Sequence, residues 1–275
     1  MKEYIMEKYN ELPYDAYIGK GLKLTTEHEF LPNLSTSEYT MAEGLKFRWV
    51  QGGCTDGKNY YCFMITDHSV NPAKAVVLKY DLATQTRLLQ SQVMVTGHSN
   101  DAAYNPYNNT ITLINGGESH IILDADTLEI VKYVPAEYSS GVVSYDPDEH
   151  LYMIGDNYNF CFYDDDFNLL KIMSIEGMLA DYDKEKGLCG SQGMTRDKKY
   201  MYYLENWINK EDKTDQRCNI VVYDVHTLEF IERIPLHMGL EVEHIFIWNN
   251  SFYIACNNLD WNRSYCFKVR VIPES

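Results

Sequence analysis

VQGGCTDGKNYYCFMI, starting at Val50, is the first of five strand-turn-strand units that recur along this chain. The other four are SNDAAYNPYNNTITLI from Ser99, GVVSYDPDEHLYMI from Gly141, GSQGMTRDKKYMYYL from Gly190 and VEHIFIWNNSFYIA from Val242. The turn falls at the same place in each unit. The interval of roughly 40 to 50 residues is the period of one blade in a ring of β-sheets.

A second anchor follows four of these units, where a strand ends on an aspartate and enters a turn. The segments are LKYDLATQT, IILDADTLE, CFYDDDFNL and VVYDVHTLE, with Asp81, Asp124, Asp164 and Asp224 in register. Aspartate favours such turns because its side chain bonds to nearby backbone N–H groups, so these residues are interpreted as structural. The two anchors together predict an all-β, five-bladed β-propeller with four antiparallel strands in each blade.

The length of 275 residues fits one such domain, residues 1–275. Residues 1–48 are assigned to an N-terminal extension and closing strand, and the blades to residues 49–96, 97–138, 139–186, 187–238 and 239–275. The last unit supplies three recognisable strands, so we expect its fourth strand to come from residues 22–30. Closure of this kind removes exposed sheet edges.

The amino-acid composition limits the expected binding partners and the expected cellular compartment. The net charge of −16 and the absence of a basic stripe argue against nucleic acid. No apolar run is long enough for a membrane span or a signal sequence. The seven cysteines are an odd number without CxxC spacing, which is typical of buried thiols in a reducing compartment. The chain is therefore predicted to be cytoplasmic, and its acidic surface leaves a basic protein partner open.

The residues that enter the inner strand of each blade should ring one mouth of the central channel. The connections on that face, at residues 66–73, 176–189, 205–218 and 257–264, are predicted to be long, and binding residues concentrate on long loops. Five segments deliver polar groups there: Gln51; His98, Asn100 and Asp101; Ser140; Gln192; and Glu241, Glu243 and His244.

Glu243, Asp101, Glu241 and His98 form the predicted catalytic set. Carboxylates crowded into a partly dry channel raise one another's pKa, so that one could act as a general acid or base near neutral pH. Strand alternation would place Glu241 and Glu243 on one face and His244 on the other.

Substrate binding is assigned to eight further residues: Gln51, Asn100, Ser140, Gln192, His244, Trp207, His68 and Trp261. An aromatic ring beside amides and carboxylates suits a sugar or a cationic group, and Trp207 is the foremost candidate. The alternative is architectural, because polar groups at a narrow axis also satisfy strand-end backbone and channel water. The charged loop around Trp207 could equally be a solvated lid.

Other chemistries have less support. The sequence lacks a phosphate-binding GxxxxGK[ST] loop, GxGxxG after a strand, HExxH and GxSxG. The hard oxygens of Asp101, Glu241 and Glu243 would suit Ca²⁺ or Mg²⁺, but no EF-hand-like spacing supports such a site. No cofactor is predicted.

The strand entries carry a resemblance to known propellers. Gln51-Gly52-Gly53, Ser191-Gln192-Gly193 and the acidic LEVEH segment look like inner-strand entries of five-bladed propellers and resemble the plant-type glutaminyl cyclase group. GHSNDAAYNP also resembles a strand entry in bacterial propeller-like proteins. These fragments do not make a complete active-site motif, so the resemblance implies the fold and leaves the activity open.

Two functions are therefore carried forward from the sequence. The first is an enzyme of hydrolase, cyclase or lyase type that acts on a small polar or cationic substrate by carboxylate and histidine acid–base chemistry. The second is a propeller without catalysis that binds a glycan or a protein. Unequal loop lengths among the blades favour a single central site over repeated ones.

Overall fold

The chain folds as a five-bladed β-propeller, as the repeat predicts. The computed structural model describes residues 22–23, 30–31, 40–66, 70–116, 119–138, 140–156, 159–175, 187–212, 216–237, 240–258 and 263–271. Within these ranges the regular structure is entirely β-strand. None of the described segments is a helix of the length and apolarity that a membrane crossing needs.

The first two blades each contain four antiparallel strands. Blade one contains β3 (Leu45–Thr55), β4 (Asn59–Thr66), β5 (Lys74–Asp81) and β6 (Thr86–Gln90). A short strand, β2 (Thr40–Ala42), precedes β3 and pairs with it, and β7 (Met94–Val95) pairs with β5. Blade two contains β8 (Asp101–Asn105), β9 (Thr110–Ile114), β10 (Ser119–Asp124) and β11 (Ile130–Pro135).

Blades three and four repeat that arrangement, and blade five shows three strands in its described part. Blade three contains β12 (Val142–Asp146), β13 (Leu151–Gly155), β14 (Asn159–Tyr163) and β15 (Leu169–Ser174). Blade four contains β16 (Gly187–Arg196), β17 (Tyr200–Asn209), β18 (Gln216–Asp224) and β19 (Phe230–His237). Blade five contains β20 (Leu240–Trp248), β21 (Ser251–Asn258) and β22 (Ser264–Lys268).

The apolar core lies between blades. Five clusters of buried side chains each draw residues from two neighbouring blades, so every sheet is covered on both faces. The inner strands β3, β8, β12, β16 and β20 contact one another in that order, and β20 contacts β3 again. The ring is therefore closed around a narrow axis.

Both ends of the described chain take part in closure. β1 (Leu22–Lys23) pairs in parallel with β19 of blade four and antiparallel with β23 (Arg270–Val271). The backbone N–H of Phe30 donates to the carbonyl of Cys266 on β22 at 2.6 Å, and the Phe30 ring lies 4.5 Å from that of Tyr253. Of the segment predicted to supply the fourth strand of blade five, residues 22–23 thus join the sheet of blade four and Phe30 contacts blade five, while residues 24–29 lie outside the described residues.

Aspartates shape the tight turns on one face of the disc. Oδ1 of Asp224 accepts the backbone N–H groups of His226 and Thr227, both at 2.9 Å. Those hydrogen bonds lower the pKa of the Asp224 carboxyl, Thr227 contributing the most. Oδ1 of Asp124 makes the equivalent bonds to Asp126 and Thr127. This face is built for backbone geometry, which leaves the opposite face for the candidate site.

Candidate functional site

A cavity of about 190 Å³ lies where the inner strands begin, and we call it the mouth cavity. Its lining residues are Trp49, Gln51, His98, Gln192, Glu241, Glu243 and Asn257. Five of these were singled out from the sequence, so the structure brings together three of the four predicted catalytic residues and two of the predicted binding residues. Trp49 and Asn257 are additions that the sequence did not suggest.

β-Bulges determine the direction of three of the side chains that line the mouth cavity. The ladder register shifts between Val50 and Gly53 in β3, between Ser191 and Gly193 in β16, and between Val242 and His244 in β20. Gln51, Gln192 and Glu243 lie inside these shifts. A bulge inserts an extra residue that re-aims its side chain, and bulges are common beside active sites.

The bulge at Glu243 interrupts the alternation of side chains along β20. Val242 and Ile245, three residues apart, pack into the same core cluster between blades four and five. Simple alternation would have put them on opposite faces. Glu241 and Glu243 both line the mouth cavity and His244 does not. The bulge means that the simple alternation from which this placement was expected does not hold in β20.

Glu243 is the most deeply buried acid of the mouth cavity, with 3% of its surface exposed. Its Oε1 accepts a hydrogen bond of 2.7 Å from Nδ2 of Asn257, and Gln51 is a second side-chain partner. Burial, followed by the nearby charge of Glu241, raises the pKa of Glu243 well above its usual value. This carboxyl therefore keeps its proton under conditions that ionise an exposed glutamate.

Asp101, predicted to be catalytic, does not line the mouth cavity. It is fully buried, and its Oδ2 accepts the backbone N–H groups of Val143 at 2.9 Å and Met194 at 3.1 Å. Its Oδ1 lies 3.0 Å from Nδ1 of His244. Burial raises the pKa of Asp101 even though these partners oppose the shift.

All five inner strands meet at Asp101. Asp101 belongs to β8, Val143 to β12, Met194 to β16 and His244 to β20, and the remaining strand, β3, approaches through Gly52. A Cβ at Gly52 would lie 2.5 Å from the Cα of Asp101, so only glycine permits this approach. We call Asp101 and these partners the hub. Its geometry assigns Asp101 to holding the ring together.

His244, predicted to bind substrate, belongs to the hub as well. Its ring lies nearly parallel to those of Tyr60 and Phe246, with centroids 6.0 and 6.1 Å away. It lines a second, smaller axial cavity of about 60 Å³ on the far side of the hub. His244 Nε2 is buried and has no hydrogen-bond partner among the described residues.

Asn100 and Ser140, also predicted to bind substrate, do not line the mouth cavity. Both lie beside Gly116, where the Asn100 side-chain oxygen and the Ser140 carbonyl would contact an added Cβ at 3.6 and 3.8 Å. They sit at the border of blades two and three, because Gly116 follows β9 and Ser140 precedes β12.

Trp207 is not on a loop. It lies inside β17, with 3% of its surface exposed, and the Arg217 guanidinium covers its ring at 4.9 Å from the centroid. Most of the predicted loop at residues 205–218 is strand, since β17 runs to Asn209 and β18 starts at Gln216. A stacking surface for a ligand is thus absent at Trp207. His68 and Trp261 lie outside the described residues.

The described lining of the mouth cavity carries two glutamates and neither lysine nor arginine. The oxygen set suggested for Ca²⁺ or Mg²⁺ is separated, because Asp101 lies in the hub and not with Glu241 and Glu243. No group of three His, Cys, Asp or Glu side chains in the described part of the chain is placed to hold a metal ion.

Comparison with known proteins supports the fold. No protein-family model matches the chain, and no curated protein matches its sequence. Among solved structures, the glutaminyl cyclase of Myxococcus xanthus is similar, with a TM-score of 0.59 and 9% identity over 92% of this chain and 97% of that one. At this identity the likeness shows a shared fold alone, and in that sense the chain resembles a glutaminyl cyclase.

A second solved structure is more distant. The hydrazine synthase of Kuenenia stuttgartiensis matches with a TM-score of 0.44 and 13% identity over 79% of this chain. The chain spans 59% of that protein's length.

Proposed function

We propose that this protein is an enzyme that acts on a small polar or cationic molecule in the mouth cavity, with Glu243 as its general acid or base. The observation that carries the proposal is the placement of Glu243. It is a buried carboxyl of raised pKa on a bulge, and it lines a cavity large enough for a small molecule. A protonated carboxyl near neutral pH can donate its proton to a leaving group and recover it in a later step.

The other lining residues have distinct roles in this proposal. Glu241 keeps the proton on Glu243 through its charge and attracts a positively charged substrate group. The side-chain amides of Gln51 and Gln192 orient the substrate by hydrogen bonds, and Trp49 supplies an apolar wall. His98 lines the same cavity and is a second candidate for proton transfer. Hydrolase, cyclase and lyase reactions all use such a proton donor.

The first assay should use peptides that begin with a glutaminyl residue, because a solved enzyme of the same fold is a glutaminyl cyclase. Mass spectrometry would detect cyclisation, and a panel of small amides, esters and glycosides would follow. We expect Glu243→Gln to reduce any turnover found by at least about 100-fold, the usual contribution of a general acid. If turnover is unchanged in this variant, Glu243 is not the general acid or base.

A second candidate, binding of a sugar without catalysis, is favoured by two side-chain amides and the indole of the cavity. Gln51, Gln192 and Trp49 are the residue types that hold a sugar ring through directed hydrogen bonds and apolar contact. Calorimetric titration with monosaccharides would detect it. Binding in both the parent protein and Glu243→Gln, with no turnover in either, would favour this candidate.

A further inference from the structure

Asn257 joins the candidate acid to the place where the last blade meets the first. It lies on β21 of blade five and is 2% exposed. Its Nδ2 donates to Glu243 Oε1 at 2.7 Å and to the carbonyl of Val50 at 3.0 Å. Its Oδ1 accepts the N–H of Val50 at 3.2 Å and the hydroxyl of Ser264 at 2.7 Å. All four hydrogen-bonding positions of this amide are used.

Ser264 extends this network across the same boundary. Its hydroxyl lies 2.7 Å from the carbonyl of Arg48 on β3, and it accepts the N–H of Val50 at 3.1 Å. We call the contact between β3 and the pair Asn257 and Ser264 the seam. The pairing fixes the orientation of the Asn257 amide, because the backbone N–H of Val50 can only donate and its carbonyl can only accept.

Glu243 is held from both sides of the seam. Asn257 approaches it from blade five, whereas Gln51, its other side-chain partner, belongs to blade one and follows Val50 directly. If blades five and one separate, Glu243 loses the partner from blade one, and the amide of Asn257 loses the backbone groups that orient it. The fold thus makes the geometry of the acid depend on a closed ring.

We propose that Asn257 is a positioning residue that couples the carboxyl of Glu243 to closure of the seam. The coupling rests on the proposed function only in giving Glu243 a chemical task. It is reciprocal by linkage, so a ligand that binds Glu243 in its held geometry also stabilises the contact between blades five and one. The seam then reports the state of the cavity.

The test is Asn257→Asp, an isosteric change that replaces the donor Nδ2 with an acceptor. We expect amide hydrogen exchange at Val50 and along β22 to become at least about 10-fold faster, because a carboxylate oxygen would face the Val50 carbonyl. We also expect the pKa of Glu243, followed by carboxyl ¹³C NMR, to rise, because it loses a donor and gains a like charge.

Asn219→Asp is the matched control. Asn219 donates its Nδ2 to the buried carboxylate of Glu205 at 2.9 Å, but that pair lies within blade four. The same chemical change there should leave both the seam exchange and the Glu243 pKa unaltered. If Asn257→Asp leaves exchange at the seam within twofold of the parent and does not move the Glu243 pKa, the coupling is wrong.

Ser264→Ala keeps the proposal testable if Asn257→Asp does not fold. It removes one hydroxyl from the seam and leaves the Asn257 donor on Glu243. We expect faster exchange at Val50 together with a smaller rise in the Glu243 pKa. Faster exchange with an unchanged pKa would overturn the coupling. Both readouts need no substrate, so loss of the catalytic proposal in the peptide assay would leave this result standing.

Discussion

Asp101 and Glu243 are two buried carboxyls near one axis, and their surroundings lead to different interpretations. Burial raises the pKa of both. Asp101 is met by two backbone N–H groups and an imidazole from three other strands, and it touches no part of the mouth cavity. Glu243 is met by two side-chain amides and the charge of Glu241, and it lines the cavity.

Burial alone therefore does not identify a carboxyl that takes part in chemistry. Asp101 is held by donors from three other strands and does not line the mouth cavity. Glu243 lines that cavity, so a ligand that enters it can reach this carboxyl. The hub and the mouth cavity should therefore respond in opposite ways to mutation, the hub in stability and the cavity in ligand binding and turnover.

Asp101→Ala should have the largest effect on stability. The substitution leaves the buried N–H groups of Val143 and Met194 and the His244 imidazole without their hydrogen-bond partner. We therefore expect a loss of about 3–5 kcal/mol in the free energy of unfolding. Denaturant titration measures it. Asp165→Ala is the control, because Asp165 also has three hydrogen-bond partners, the side chains of Asn105, Tyr145 and His150, but is partly exposed. A similar loss in both variants would contradict a special role for the hub.

Gly52→Ala should have the second-largest effect on stability. The new Cβ would lie 2.5 Å from the Cα of Asp101 and force β3 away from β8, with an expected loss of roughly 2–3 kcal/mol. Gly190→Ala on β16 is the matched control, since a Cβ there meets no atom within 4 Å. Thermal unfolding of the pair compares them directly. Equal melting temperatures would mean that β3 can retreat from the hub without loss.

Glu243→Gln should alter the pH dependence of stability. The folded protein keeps a proton on Glu243 that the unfolded chain releases above about pH 4.3, so this residue lowers stability as pH rises towards its folded-state pKa. The variant should match the parent below about pH 4 and exceed it above, by at most about 1.4 kcal/mol for each pH unit.

Denaturant titrations at several pH values would measure that difference, and Glu241→Gln is the control. Removing the charge of Glu241 lets the Glu243 pKa fall, so the same decline with pH should remain in a weaker form. A parent protein whose stability rises from pH 5 to pH 7 relative to Glu243→Gln would show an ionised, well-paired Glu243.

Gln192→Ala should have the smallest effect on folding. Gln192 is partly exposed on a bulge of β16 and lines the mouth cavity, so we expect the free energy of unfolding to change by no more than about 0.5 kcal/mol. Affinity for a cavity ligand should fall by about 10-fold with the loss of one hydrogen bond. A large loss of stability would place Gln192 among the structural residues.

Much of the architecture could be predicted from the sequence. The five strand-turn-strand units gave the number of blades, and the turn aspartates from Asp81 to Asp224 supported four of them, because turn chemistry is local and can be recognised from single residues. The grouping of Gln51, His98, Gln192, Glu241 and Glu243 at one mouth followed from the same register. The position of a residue could be predicted from the sequence where it depends only on its own strand and the adjoining turn.

What the sequence could not provide depends on contacts between blades. Asp101 and Glu243 looked alike as acidic strand entries, and only the donors from distant strands separate them. Asn257 was missed because it lies on the second strand of its blade, β21, and not at the entry of an inner strand. Trp207 was misplaced because the charged residues after it suggested a loop, whereas β17 continues to Asn209. Bulges in three inner strands changed the face of the sheet on which the following side chains lie. No residue pattern in the sequence predicted these bulges.

The pairing of β1 with β23 places Leu22 beside Val271, 249 positions apart in the chain. During synthesis, four blades can emerge and pack before this contact exists, and the ring closes only after residues 240–271 have left the ribosome. Until then the inner edges at the seam and the apolar surface of blade one stay open to other chains. Slow translation of the final blade would lengthen that interval, so the protein's yield in a cell should respond to codon choice over residues 240–271 more than elsewhere.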